Sequence, residues 1–239
     1  SFASSRLRVS LAAAIIPAAL LIAAFAAGPI AASDRARPET AGMIDPKTET
    51  AIRDALAWLA SRQHEDGSFG SGDMRGNTAV TALCGMAFLA GGSTPNRGPY
   101  GKQVDHAVEY LLAHTEQSGL IINRRATSQG PMYGQGFATM FLAECYGMSR
   151  RPELREKLVR AVKLIVDSQN SEGGWRYWPD STDADISVTI CQIMALRSAR
   201  NAGIHVPKQT VDRCVEYVKK CQNPDGGVTY MLGDRRESL

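Results

Sequence analysis

A chain of 239 residues, 44% hydrophobic and 21% charged, holds enough apolar material for one ordinary globular core and little beyond it. Its formal charge is +3, and Lys and Arg are interspersed with Asp and Glu instead of forming blocks, which excludes nucleic acid as the expected partner. The five cysteines, at 84, 145, 191, 214 and 221, lack CxxC spacing and sit in apolar helical patterns, so buried free thiols are expected and not a disulfide framework or a zinc site.

Arg6 and Arg8 precede an uncharged apolar run over residues 11–32, which ends in small residues before Asp34. That pattern predicts a signal peptide over 1–33, or an uncleaved membrane anchor, and places the remainder outside the cytoplasm. Residues 34–48 read as a linker and 49–239 as the folded domain. The first residue is Ser and the last segment "GDRRESL" follows a turn signal closely, so the domain is expected to be truncated at its C-terminus.

Within that domain four segments place apolar residues at three- and four-residue intervals: "TAIRDALAWLASRQ", "VDHAVEYLLAHTE", "LREKLVRAVKLIVDSQ" and "QTVDRCVEYVKKCQ". Each predicts an amphipathic helix, with Leu56, Trp58 and Leu59 on the apolar face of the first. Gln63, Gln169 and Gln222 close three of them, 106 and 53 residues apart, and Glu116 stands where the missing member of a 53-residue period should fall. Gly67, Gly173 and Gly226, four residues after each glutamine, read as helix stops. Between these segments lie "AVTALCGMAFLAG", "YGQGFATMFLAECYG" and "DISVTICQIMALRSARNAG", apolar around most of their circumference and rich in small residues, as an inner layer requires. One such hairpin cannot bury its own apolar face, so copies must stack. The fold class is therefore all-α, with about four helical hairpins of 53-residue period.

Gln followed by Gly at +4 and an aromatic at +6 is complete in "QNSEGGW" (Gln169, Gly173, Trp175), while "QHEDGSF" has Phe69 in the aromatic place. In this the chain resembles the prenyltransferase and squalene oxidase repeat superfamily, whose signature is called the QW motif, and in particular exported bacterial members of it. The resemblance implies an α/α toroid, here part of an (α/α)6 barrel, with a ligand cavity at one end of the inner helices. It also implies that the glutamines, glycines, Phe69 and Trp175 brace the outer layer.

Squalene-hopene cyclases of that superfamily begin an inner helix with an aspartate-rich DxDD motif whose middle Asp protonates an alkene. On this sequence it falls on Asp183, Ala184, Asp185 and Ile186, so the fourth acid is absent. Three readings stay open, one of them a carboxylate that faces the ligand without transferring a proton. Asp183 fits an N-cap and Asp185 a first helical turn, where a carboxylate meets free backbone N–H groups and the positive end of the dipole. Alternatively Asp185, assisted by Asp183, is the catalytic acid. Tyr133, Phe137, Tyr177 and Trp178 are candidates for lining a cavity, and Arg124 with Arg125 for meeting a diphosphate or simply solvent.

Protein prenyltransferases hold zinc with Asp-x-Cys and a distant His. Here Asp185 occupies the Cys position, and His64, His106, His114 and His205 all lie away from the inner-helix starts, so neither metal nor cofactor is expected. The implied ligand is an isoprenoid or other lipid, with membrane contact only through the N-terminal segment if it is uncleaved. A non-catalytic exported binding module on the same fold is the alternative.

Overall fold

The computed structural model describes residues 45–126 and 129–234; the apolar run 11–32, with its signal and anchor readings, and residues 34–44 of the linker lie outside the described residues. Among the described residues there are seven α-helices and no strands: α1 (Pro46–Ala60), α2 (Thr78–Ala90), α3 (Gly101–Ala113), α4 (Met132–Tyr146), α5 (Leu154–Asp167), α6 (Ile186–Asn201) and α7 (Lys208–Cys221). None of them is long and apolar enough to cross a membrane. The first helix starts at Pro46, capped by the Asp45 side chain 2.7 Å from Thr48 N, and so reaches into the segment read as linker.

The even-numbered helices α2, α4 and α6 pack side by side as an inner layer, and the odd-numbered helices lie outside them. Close approach sets this packing. A Cβ on Gly85 would stand 2.5 Å from the Phe141 ring, and one on Gly136 would stand 2.9 Å from Cys191 Cβ. The outer helices are two-faced: α5 buries Leu158, Ala161, Val162 and Ile165 at helical spacing and turns its charges outward. The first helix departs from expectation. It has no fully buried residue, and Trp58, assigned above to the apolar face, is 59% exposed under the Arg62 guanidinium.

The outer helices end before the glutamines, α1 at Ala60 and α5 at Asp167, so the glycines are not helix stops. Gly67, Gly119 and Gly173 all have φ near +90°, and a Cβ on any of them would collide with a backbone carbonyl of the next outer helix, at His106, Arg160 and Arg213. Close approach as well as positive φ therefore demands glycine here. Gly226 has φ +88° but nothing within 4 Å, and among the described residues no outer helix follows α7.

Two of the three glutamines, Gln63 and Gln169, join their turn to the following outer helix. Gln63 Nε2 donates to Gly67 O (3.0 Å) and Gln103 O in α3 (2.9 Å), and Gln169 Nε2 donates to Gly173 O (2.8 Å) and Thr210 O in α7 (2.9 Å). In the second copy the register differs from the one read from sequence. Backbone bridges pair Thr115 with Ile121 and Gln222 with Val228, and the turn bonds from Glu116 N to Leu120 O and from Asn170 N to Gly174 O coincide. Thr115, not Glu116, is thus the equivalent of the glutamines, at spacings of 52, 54 and 53 residues (115 − 63, 169 − 115, 222 − 169). Its missing amide is supplied from the inner layer: buried Gln135 of α4 donates from Nε2 to Gly119 O (3.1 Å) and Ala161 O (3.2 Å) and accepts Ile121 N at Oε1 (2.8 Å).

Candidate functional site at the start of the inner helices

Three inner helices begin at one end of the layer, with Asn77, Pro131 and Asp185 as their caps. The Asn77 side chain uses both ends: Oδ1 accepts Ala79 N and Val80 N, and Nδ2 donates to Ala126 O at 2.5 Å. Asp185 uses one. Its Oδ1 accepts Val188 N (2.9 Å) and Ser187 Oγ (2.5 Å), while Oδ2 is buried without a hydrogen-bond partner in a residue 0% exposed. A buried carboxyl oxygen left unpaired costs free energy, so its retention points toward use.

This corrects the cap assignment: Asp185 caps α6, and Asp183 lies outside the helix, half exposed, paired with Arg176 Nε at 3.2 Å. The backbone fixes the acid from two sides. Asp185 N donates to Trp175 O (3.0 Å), and Ile186 N donates to Tyr230 O (2.9 Å). Trp175, 1% exposed, is itself held by Nε1 on Ile165 O (2.7 Å) and by its N–H on Thr189 Oγ1 (3.0 Å).

Tyrosines surround the acid. The Tyr133 hydroxyl lies 2.6 Å from Ser187 Oγ, the Tyr177 and Tyr230 hydroxyls lie 2.5 Å apart, and the Tyr133 and Tyr177 ring centroids are 6.0 Å apart. Burial pushes up the pKa of Tyr133, with the nearby Asp185 charge adding to it, and burial also pushes up that of Tyr217, whose hydroxyl lies beside Cys221. The Tyr177 pKa is pushed up to about 12, chiefly by the hydrogen bond with Tyr230 and then by burial.

A tyrosine whose pKa in the fold exceeds its ordinary 10 stabilises the fold while both states are protonated; the contribution is complete below pH 10 and is lost as pH rises toward 12. Stability is therefore expected to fall across that window. Tyr177→Phe should flatten the fall in circular-dichroism melts, leaving the shares of Tyr133 and Tyr217.

A pocket of about 240 Å³ opens at the starts of α2 and α4, where Asn77, Thr78, Pro131, Tyr133, Gly134 and Phe137 line it. It takes in Tyr133 and Phe137 from the sequence candidates, and Tyr133 links it to Ser187 and so to Asp185. Tyr177 stands at its edge, its carbonyl against Gly130. Trp178 is 54% exposed in a turn and is not among the lining residues, and Arg124 is paired with Glu116 at 2.8 Å. All five cysteines are free, four of them buried, and burial pushes the Cys191 thiol up to about 11. Among the described residues no three His, Cys, Asp or Glu side chains form a group able to hold a metal.

The model of the prenyltransferase alpha-alpha toroid domain matches residues 40–160 and 137–237. The chain belongs to that family. It is similar to drimenyl diphosphate synthase of Streptomyces showdoensis, 28% identical over 180 residues that make up 74% of this chain and 32% of the synthase. In structure it is similar to two variants of the type II terpene cyclase MstE from Scytonema, each in complex with geranylgeranyl dihydroxybenzoate. They are 19% and 18% identical, both with a TM-score of 0.52, covering 77% of this chain and 52% of theirs. The chain thus spans about half the length of these toroid structures and about a third of the curated relative.

Several residues of this toroid site were not singled out from the sequence. Tyr230 carried a readable signal, since it stands 53 residues after Tyr177. Ser187, Tyr217 and Gln135 carried none, because a Ser, Tyr or Gln inside a helical pattern is ordinary until its neighbours are known.

Proposed function

We propose that this chain forms part of an isoprenoid-binding toroid in which Asp185 is the acid that protonates a carbon–carbon double bond of the ligand. The observation that carries the reading is the divided carboxyl: Oδ1 caps α6 while Oδ2, equally buried, has no partner. Capping and catalysis therefore do not compete for the same oxygen. In the step, the Oδ2–H bond breaks as the alkene π electrons form a new C–H bond, leaving a carbocation on the ligand and a carboxylate on Asp185. Loss of a proton from the cyclised cation, and uptake of one from solvent by Asp185, restore the start.

The surroundings suit such a ligand. Phe137 lines the pocket, and the faces of Tyr133 and Tyr177 offer negative potential to a cation. Ile186 in place of a further acid leaves Ser187 and the Val188 N–H as the groups bonded to the carboxyl.

The test is turnover of squalene, farnesyl diphosphate and geranylgeranyl diphosphate by the full-length protein. Asp185→Asn, which keeps size and one cap acceptor, is expected to lower kcat by at least ~100-fold, the scale of a lost general acid. No conversion of any of the three, with tight binding of one of them unchanged in Asp185→Asn, would establish the non-catalytic binding module instead.

A further inference from the structure

Resting on that reading of Asp185, we infer that Ser187 and Tyr133 form a one-way hydrogen-bond relay that keeps Asp185 Oδ1 an acceptor, so that the transferable proton is confined to Oδ2. Ser187 Oγ is 2.5 Å from Oδ1 and 2.6 Å from the Tyr133 hydroxyl. Oδ1 already faces the Val188 N–H at 2.9 Å, which has a proton to give and none to take. A proton on Oδ1 would point into that donor or displace the Ser187 bond. Ser187 therefore gives its proton to Oδ1, and, with that proton committed, receives one from Tyr133.

Burial pushes up the Tyr133 pKa, so its phenolic proton stays in place to be donated. Oδ2 is then the carboxyl oxygen left to carry a proton, and it is the one without a partner.

The repeat shows that this arrangement is particular to α6. Ala79, Tyr133 and Ser187 occupy the same place, two residues after the caps Asn77, Pro131 and Asp185. In α2 that place holds an alanine and the cap's second atom is spent on Ala126 O; in α4 the cap is a proline without a side-chain bond. Among the described inner helices, α4 and α6 place hydroxyl-bearing residues two positions after their caps where α2 does not, and these two meet, 54 residues apart in sequence. Ser187 and Tyr133 are thus positioning residues, acting through Asp185. The other titratable groups near enough to interact with this carboxyl are Tyr177, Cys191 and Tyr217, and Asp183, two residues earlier, is paired with Arg176.

The experiment uses the full-length protein and reads geometry and activity separately. Infrared difference spectra between each protein and its Asp185→Asn derivative isolate the Asp185 carboxyl bands. Ser187→Ala is expected to shift those bands, Ser187→Thr to return them to the wild-type position, and Tyr133→Phe to shift them by less than Ser187→Ala. With farnesyl diphosphate, geranylgeranyl diphosphate or squalene, whichever is turned over, Ser187→Ala should lower kcat about tenfold, as the loss of one hydrogen bond to a carboxyl that gains charge in the transition state does, with KM little changed. Ser187→Thr should recover most of that loss. Carboxyl bands unmoved in Ser187→Ala would overturn the relay whatever the activity. Full activity in Ser187→Ala, in an enzyme that Asp185→Asn silences, would overturn the relay alone; full activity in Asp185→Asn would remove the catalytic reading beneath it as well.

Discussion

Replacing Trp175 with alanine is expected to lower the unfolding free energy by ~3–5 kcal/mol, the scale of a large aromatic removed from a closed core. The side chain is 1% exposed and heads the largest fully buried side chains of the protein. Its indole N–H also donates to Ile165 O at 2.7 Å, so truncation both opens a cavity and leaves that carbonyl near the end of α5 with Ser168 Oγ, at 3.1 Å, as its remaining side-chain partner. In a domain of this size the midpoint of a thermal melt should fall by roughly 10 °C or more. Trp175→Phe should cost much less, since Phe69 fills the equivalent place of the first copy at the same 1% exposure. The acid should feel the change too, because Asp185 N is bonded to Trp175 O. A melt of Trp175→Ala within about 2 °C of wild type would show that the turn is not held by this ring.

The same tryptophan shows why the scaffold was legible in the sequence and the site only partly so. The glutamine, glycine and aromatic of "QNSEGGW" each answer a demand of the backbone: an amide to join a turn to the next helix, a φ near +97° against a carbonyl, and a ring to fill the space beneath. Such demands recur with every copy, so they appear as period. The site is what breaks the period. Asp185 stands where the other inner helices have Asn77 and Pro131, and its function rests on an oxygen that has no partner, which no spacing rule can express. Asp183 looked like the cap because a cap two residues earlier fits the same string, and only the backbone bridge from Asp185 to Trp175 decides where the helix starts. The worn second copy misled by one residue for a related reason. A strict 53-residue period lands on Glu116, whereas Thr115 holds the glutamine place without an amide and the substitute amide comes from Gln135 on another helix.

That substitution can be reversed. Gln135 is 0% exposed and serves three backbone groups, Ile121 N, Gly119 O and Ala161 O, so Gln135→Leu, of similar size, should cost ~2–4 kcal/mol by leaving Ile121 N and Gly119 O buried and unpaired, while Ala161 O keeps its bond within α5. Gln63→Leu should cost ~1–2 kcal/mol, because its amide is part-buried and water can take up some of its two bonds. In the other two copies the work is divided: Thr81 and Thr189 accept the N–H of Phe69 and Trp175 at 3.1 and 3.0 Å, and Gln63 and Gln169 bond the glycine carbonyl. Gln135→Thr should therefore keep the acceptor for Ile121 N and lose the two amide donors, for ~2–3 kcal/mol. Adding Thr115→Gln puts an amide back in register with Gln63 and Gln169, within reach of Gly119 O. Urea denaturation of wild type, the two single variants and the double variant forms a cycle whose coupling energy should be at least ~1 kcal/mol in favour of the pair. Additive losses would mean that Thr115 does not occupy the glutamine position, and the 52, 54, 53 register would fall with it.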